Sequence, residues 1–459
     1  MTLTGLDQIF SPQQISTDES SLKTYGRDWT KHYTPAPSAV VFPKATEEVL
    51  ALVKWARQNK VALVPSGGRT GLSAAAFALK GEVVVSFEKM NRILDFNPTD
   101  QVVTCDPGVI TETLQSFAWE KGYYFPVDFA ARGSSHIGGN IATNAGGIKV
   151  VRYGLMRPWV SGLEVVTGSG EVLKLNRSLV KNASGYDLRQ LFIGSEGTLG
   201  FITRAELMVT RQPTEPFVFV FGVPALDGVM NIFSAFRKEF PLLAYEMFTE
   251  LALRYVVGAG HVQRPFATES PYYVLVEIEK TSDDVLEKAM ALFESCVERG
   301  WIEDGTVSQS PQQAKNLWRL REDITESTSH KHPYKNDVSV RISEVPSFLK
   351  NVDELLKKDY PHFEVVWFGH IGDGNLHINI LKPDAMSSAD FVTECKRVDQ
   401  LMFSMIEKHG GSISAEHGVG LTKKPFLHHT RSAAEIAIMK QIKSVFDPDQ
   451  ILNPGKIFD

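Results

Sequence analysis

The hydrophobic periodicity of this chain predicts an α+β protein built as two domains with a closing tail. Three observations carry that reading. Over the first two hundred residues β-branched runs alternate with amphipathic helical patterns; Pro213 and Pro216 then interrupt the pattern; beyond them strand runs lie next to one another in sequence, as antiparallel pairing allows. At 459 residues the chain has room for two or three cores.

The first domain is placed at 1–213. Residues 38–42 are strand-like, Thr46 caps an amphipathic helix at 47–59, and 61–65 is a buried strand, together one strand-helix-strand unit. A glycine loop follows. Strands are expected at 82–87 and, after the turn Asn97-Pro98-Thr99-Asp100, at 101–105, with a helix at 109–121. Segment 133–147 holds five glycines among Ser, Thr, Asn and Ala, too polar and flexible for a core element unless a ligand orders it. Runs 163–172, turning at Gly168-Ser169-Gly170, and 201–209 are strands that close the domain.

The second domain is placed at 214–425. It opens with a strand at 217–223 and continues through a helix at 226–236, a strand at 272–279, helices at 283–299 and 311–329, a strand at 338–342, a helix at 345–358, strands at 364–369 and 376–381, and a helix at 390–409. This order predicts an antiparallel sheet covered by helices on one face. The tail, 426–459, carries a further helix from 433 and is expected to return to the first domain.

Composition excludes several functions. With 54 acidic and 48 basic side chains the net charge is −6, and no Lys/Arg run tracks a phosphate backbone, so nucleic acid is not the expected partner. Cys105, Cys296 and Cys395 are too far apart for a thiolate zinc site or a disulfide framework and read as buried free thiols. The N-terminus lacks a basic start and an apolar core, and no stretch reaches the ~18 apolar residues that span a bilayer. A cytoplasmic, reducing setting is expected, in which the triplets at Asn176 and Asn182 are chance glycosylation matches.

Six motifs carry chemistry. Pro65-Ser66-Gly67-Gly68-Arg69-Thr70-Gly71-Leu72 follows a buried strand, and without Cβ atoms its N–H groups can converge on an anion such as phosphate. It is neither a Walker loop nor G-x-G-x-x-G. Gly133-Ser134-Ser135-His136-Ile137-Gly138-Gly139-Asn140-Ile141-Ala142-Thr143-Asn144-Ala145-Gly146-Gly147 offers main-chain donors and the amides of Asn140 and Asn144, a set able to satisfy a planar ring and its pyrophosphate. The third, Gly194-Ser195-Glu196-Gly197-Thr198-Leu199-Gly200-Phe201-Ile202-Thr203, is a close-approach turn entering a strand, equally explained by tight packing.

In Gly369-His370-Ile371-Gly372-Asp373-Gly374-Asn375-Leu376-His377-Ile378-Asn379, the Gly-Asp-Gly turn lets the chain double back so that both imidazoles face one point, and His377 and Asn379 share a strand face. Ser414-Ala415-Glu416-His417-Gly418 sets a carboxylate beside a third imidazole. Any one of these histidines alone reads as a core residue. Together His370, His377 and Glu416 form a three-ligand set with an open position, suited to Zn²⁺ or another divalent metal. In Trp318-Arg319-Leu320-Arg321-Glu322-Asp323-Ile324-Thr325, Arg321 and Thr325 are four apart and expected on one helix face, with Lys335 as a further cation that could help clamp a carboxylate; on spacing alone a solvated face explains them.

Taken together these motifs resemble flavoenzymes with the FAD-binding fold of vanillyl-alcohol oxidase, specifically the D-2-hydroxyacid dehydrogenase branch whose members act on D-2-hydroxyglutarate, D-lactate and glycolate. The resemblance runs from the first glycine loop to Asn453-Pro454-Gly455-Lys456. It implies a two-part FAD-binding domain and an antiparallel substrate, or cap, domain. The first two glycine loops would hold the pyrophosphate and flavin side, the segment with Glu196, Gly197 and Ile202 would lie by the adenosine half, and Asn453 would join them. Some members link FAD covalently through a histidine in the first loop, a place taken here by Arg69, so non-covalent FAD is implied; His136 reads as a hydrogen-bonded loop residue. The resemblance also implies His370, His377 and Glu416 as metal ligands, His417 as base, and Arg321, Thr325, Lys335 and Asn379 as substrate contacts. The implied reaction is hydride transfer from C2 of a D-2-hydroxy acid to flavin N5, giving the 2-oxo acid.

Two departures bear on substrate and cofactor. Ser73-Ala74-Ala75-Ala76 stands where relatives often carry more glycine, and Arg341 stands where proline is common; Arg341 is either a distal carboxylate contact or a surface charge. The acceptor stays open among a quinone, a cytochrome and an electron-transfer flavoprotein, and a homodimer is neither required nor excluded. A non-redox alkylglycerone-phosphate synthase-like flavoenzyme and, more remotely, a metal hydrolase are the competing readings.

Overall fold

A computed structural model describes residues 3–30 and 33–459. The chain divides into two compact units, one formed by Met1–Gly147, Gly154–Gln212 and Glu416–Asp459, the other by Ile148–Tyr153 and Pro213–Ala415.

The first unit holds two sheets. In the smaller, Ala39–Val41, Val83–Ser86 and Leu63–Ser66 run parallel, and Ile15–Ser16 pairs antiparallel at the edge. Parallel strands are covered on both faces, which explains their unbroken apolar runs. On one face Val41, Leu63, Val83 and Val85 meet Val49, Leu52, Val53 and Ala56 of the helix Thr46–Asn59; on the other Val40, Val64 and Val84 form a second cluster with Phe42. The larger sheet is antiparallel, in the order Ile93–Asn97, Val102–Cys105, Gly200–Met208, Val160–Thr167, Val172–Leu175. The glycine turn after Thr167 makes the expected hairpin. The strand Ile93–Asn97 was not expected; only part of it is apolar, because it lies at a half-exposed edge.

Segment 133–147 is more ordered than its composition suggests. Ile137–Thr143 forms a short helix whose Ile137 and Ile141 enter the core beside the large sheet.

The tail joins the first unit earlier than residue 426. The N–H groups of Val419 and Gly420 donate to the Glu196 carboxylate at 2.7 and 2.8 Å, and Asn453 Nδ2 bridges the carbonyls of Glu196 and Ala75. The helix Ala433–Phe446 starts in a Ser432/Glu435 capping box, and near its end buried Lys443 donates to Asp447, Thr198 O and Leu452 O. Segment 148–153, expected in the first domain, belongs to the second unit, where Lys149 pairs with Glu277.

The second unit is built on a seven-stranded antiparallel sheet, in the order Asp304–Val307, Pro216–Val223, Tyr272–Glu279, Leu242–Thr249, Val365–Gly369, Asn375–Ile380, Tyr334–Ser339. Helices cover both faces, not one. Alternation along Pro216–Val223 shows why: Val218 and Val220 join Trp318, Leu320 and Ile324 in one core, while Phe219 and Phe221 point the other way onto Phe236, with Phe221 also stacked on Phe293. Leu242–Thr249 and the helix Glu250–Gly258 were not foreseen, and the strand expected at 338–342 runs over Tyr334–Ser339. The helix expected at 311–329 ends at Glu322, where Asp323 caps it, and short turns at Ile324–Ser327 and Ser329–Lys331 follow. Among the described residues no helix is long and apolar enough to cross a membrane.

Burial pushes the Glu196 carboxyl up to about 7, against the lowering effect of the Val419 and Gly420 N–H groups. The native state therefore keeps a proton that an unfolded glutamate releases near 4.5, so this group makes the first unit less stable as pH rises from 5 to 8, on the order of 3 kcal/mol over the window. Glu196→Gln should flatten the fall of the melting temperature between those pH values; identical slopes in both proteins would contradict the assignment.

Candidate active site

In the first unit the three glycine segments meet around a narrow cleft of about 110 Å³. Pro65, Gly67, Gly138, Gly139, Ala142, Thr143, Glu196, Gly197 and Ile202 line it, with Phe87, Pro107 and Phe201. Close packing requires glycine at two points: a Cβ on Gly68 would stand 2.0 Å from Ser134 O, and one on Gly197, which has φ +70°, would stand 2.5 Å from the Pro65 ring. The remaining predicted cofactor residues, Ser66, Gly68, Arg69, Thr70, Gly71, Leu72, Gly133, Ser134, His136, Asn140, Asn144, Gly146 and Asn453, are not among those that line the cleft.

The side-chain amides expected to face a ligand are engaged in the protein. Asn140 Nδ2 donates to Thr111 Oγ1 at 2.6 Å, and Asn144 Oδ1 accepts from the Arg157 N–H at 2.9 Å. Arg69 turns back onto its own loop, bonding Gly67 O and stacking on Tyr25 at 4.5 Å. His136 caps the short helix; burial, reinforced by the Arg69 charge, holds its imidazole down to about 4, so the ring is neutral. The N–H groups of Gly68, Arg69, Thr70 and Gly139 meet no acceptor among the described residues. The Ser66 hydroxyl and His136 Nδ1 are buried without a partner.

In the second unit the hairpin Val365–Gly369 to Asn375–Ile380 turns through Gly374, at φ +87°. Its register sets Asp337, His377, Phe368, Phe248 and Tyr273 in one row across five strands, with Lys335, Asn379 and Val366 in the next row on the same face. The two histidines converge: their rings are 5.4 Å apart and nearly perpendicular, with ring nitrogens within 4.8 Å of one another. Lys335 is exposed and Asn379 buried on that face.

One carboxylate orients His370 and a second stands near His377; neither is expected from the sequence reading. Glu246, 1% exposed, accepts from His370 Nδ1 at 2.8 Å and lies 2.8 Å from Arg321 Nε through its other oxygen. Burial drives its pKa upward, but the charges of His370 and Arg321 outweigh that and hold the carboxyl below its ordinary range. Asp337, also buried, accepts from Asn375 Nδ2 and stands 3.8 Å from His377 Nδ1. With Nδ1 of His370 on Glu246, the Nε2 edge of that ring is directed away from the carboxylate. A lone Glu inside the apolar run Leu242–Thr249 was the available signal, because a buried charge implies a buried partner.

Arg321 and Thr325 do not share a helix face. The break at Asp323 leaves Arg321 buried, 4.6 Å from the Phe368 ring centre, and Thr325 exposed on the next short helix. Arg341 is exposed and pairs with Glu344 on its own turn. Glu416 is the residue at which the chain leaves the second unit for the first, and His417 follows it. A cavity beside the edge strand Asp304–Val307, lined by Phe219, Phe293 and Gln313, holds none of the predicted site residues.

Residues 212–457 match the C-terminal domain of FAD linked oxidases and residues 37–176 match an FAD binding domain. The chain belongs to the FAD-linked oxidases. Its relatives include a D-2-hydroxyglutarate dehydrogenase of Stutzerimonas stutzeri, 57% identical over 99% of this chain and 98% of the relative, and one of Xanthomonas citri pv. viticola, 54% identical over 99% and 96%. A putative mitochondrial D-lactate dehydrogenase of Schizosaccharomyces pombe is 37% identical over 96% and 85%. Among solved structures, 4-ethylphenol oxidase from Gulosibacter chungangensis shares the fold at a TM-score of 0.79 and 18% identity, over 99% of this chain and 95% of that one. p-Cresol methylhydroxylase shares it at 0.77 and 16%, over 99% and 96%.

This FAD-linked oxidase is an FAD-dependent oxidoreductase, and its first unit fits the cofactor. Gly139 faces the cleft with nothing within 4 Å of where a Cβ would stand, so its main chain is open to a ligand there. In the oxidase's second unit, Glu246→Gln keeps the side-chain volume and removes the charge shared by His370 and Arg321. Turnover should fall about 10–100-fold with the flavin spectrum unchanged; full activity would show the network to be idle.

Proposed function

We propose that this chain oxidises a D-2-hydroxy acid, foremost D-2-hydroxyglutarate, to the 2-oxo acid, using FAD held without a covalent bond and a divalent cation, of which zinc suits the ligands best, held by His370, His377 and Glu416. The observation that carries the reading is the convergence of His370 and His377, each backed by a buried carboxylate, on a sheet face that also bears Lys335 and Asn379, in a chain similar from end to end to D-2-hydroxyglutarate dehydrogenases. Two imidazoles and one carboxylate are a donor set for a cation with Lewis-acid work to do. Arg69, folded back on Tyr25, supports non-covalent FAD because it offers no nucleophile for attachment.

Bound FAD supplies an acceptor for the C2 hydride, and a bound cation supplies Lewis acidity that lowers the pKa of an alcohol. The residues do the rest. The fork of Arg321 binds a carboxylate by two parallel hydrogen bonds, Lys335 adds a point charge, and Thr325 and Asn379 add neutral donors. Two separate cations on one side of the sheet fit a dicarboxylate better than lactate. His417 takes the proton from the C2 hydroxyl oxygen onto a ring nitrogen. Glu246 keeps His370 in one tautomer, and Asp337 lies close enough to His377 to favour its cationic or metal-bound form.

Anaerobic mixing of the purified protein with 2-hydroxy acids tests this reading. D-2-hydroxyglutarate should bleach the flavin fastest, D-lactate more slowly and L-acids not at all. Prior chelation or His377→Ala should suppress bleaching by at least ~100-fold while the protein stays yellow. Bleaching by L-acids alone, or a fully active His377→Ala protein, would overturn the stereochemical or the metal assignment respectively.

A further inference from the structure

Segment Ile148–Tyr153 is flanked on both sides by first-unit chain yet packs as part of the second unit, and its Lys149 is almost buried there. Lys149 Nζ lies 2.6 Å from Glu277 Oε1 and 5.0 Å from the centre of the Trp318 ring. The other oxygen of the same carboxylate accepts from Trp318 Nε1. Trp318 and Arg321 are three apart on the helix Pro311–Glu322 and therefore neighbours on its surface. The last turn of that helix is thus held to the sheet by two polar anchors on adjacent strands, Trp318 to Glu277 and Arg321 to Glu246.

Both anchors need a cation beside their buried carboxylate to hold it in place. Glu246 has His370 and Arg321; Glu277, only 4% exposed, has Lys149. Without it Glu277 would be a buried carboxylate with no cation beside it, an arrangement that the side chain relieves by moving away. The Trp318 N–H would then lose its acceptor and the turn carrying Arg321 one of its two anchors. Lys149 is supplied by the chain two residues beyond Gly147, the end of the second glycine loop.

We propose that Lys149 is a positioning residue for substrate: acting through Glu277 and Trp318, it sets the placement of Arg321, so affinity for the hydroxy acid depends on a residue that directly continues the flavin-binding loop. This rests on the reading of Arg321 as the carboxylate clamp. The test is steady-state oxidation of D-2-hydroxyglutarate by the FAD-loaded full chain with a saturating dye acceptor. Lys149→Met should raise KM roughly tenfold with kcat within about threefold and flavin content unchanged, the signature of lost ground-state binding. Lys149→Arg should restore KM, because a guanidinium can pair with Glu277 and stack on Trp318. Trp318→Phe, which keeps the ring and the ion pair but lacks the donor, should raise KM in the same direction and decides the matter if Lys149→Met does not fold. An unchanged KM in Lys149→Met, or in Trp318→Phe where that variant decides, a loss confined to kcat, or an Arg variant as poor as the Met one would overturn the proposal. Arg321→Lys separates the two levels: if it leaves KM unchanged the clamp reading fails, and if it raises KM while the Lys149 and Trp318 variants do not, only the positioning role fails.

Discussion

The second unit is organised around one buried carboxylate. Glu246 lies in the middle of the sheet, out of reach of water, where an unpaired charge costs several kcal/mol; His370 on one side and Arg321 on the other make its ionised form the stable one. The consequence is geometric. A strand, the end of a hairpin and the last turn of a helix are drawn to the same two oxygen atoms, so the imidazole and the guanidinium acquire fixed orientations that neither its strand nor its helix would impose alone. Phe368 completes the arrangement by packing between Arg321 and His377.

The first unit solves a different problem, that of presenting polar main chain to a ligand without side chains in the way. Gly68 and Gly197 let loops approach to distances no Cβ would allow, and Glu196 and Asn453 secure the returning tail behind the cleft. Side chains that look like cofactor ligands, those of Asn140 and Asn144, serve to hold the loop, leaving the ligand-facing work to N–H groups. That division of labour suits a cofactor whose phosphates and ring edges carry acceptors in several places.

Much of this was legible in the chain. The Gly372-Asp373-Gly374 turn was enough to predict the hairpin that brings His370 and His377 together, and the three glycine segments that line the cleft were readable from composition. Glu246 and Asp337 were not, for a physical reason: Glu246 sits in an almost wholly apolar strand and Asp337 in a mostly polar one, so periodicity located neither strand well, and what gives the carboxylates meaning is a partner more than 30 residues away. The helix break at Asp323 was hidden because 311–329 has good helical periodicity throughout; the break becomes decisive only once Arg321 is pulled inward by Glu246, leaving Thr325 outside. The domain limits failed at 148–153 and 416–425 for the same reason, since Lys149 and Val419 are assigned by long-range partners rather than by local pattern.

The central claim is that Glu246 selects which nitrogen of His370 faces outward. Anomalous diffraction at the zinc edge from crystals grown with FAD and zinc tests it most directly. A single strong peak bonded to Nε2 of His370 and to the His377 ring is expected, with His370 Nδ1 still on Glu246. A peak bonded to Nδ1, or crystals in which zinc leaves both rings untouched, would contradict it.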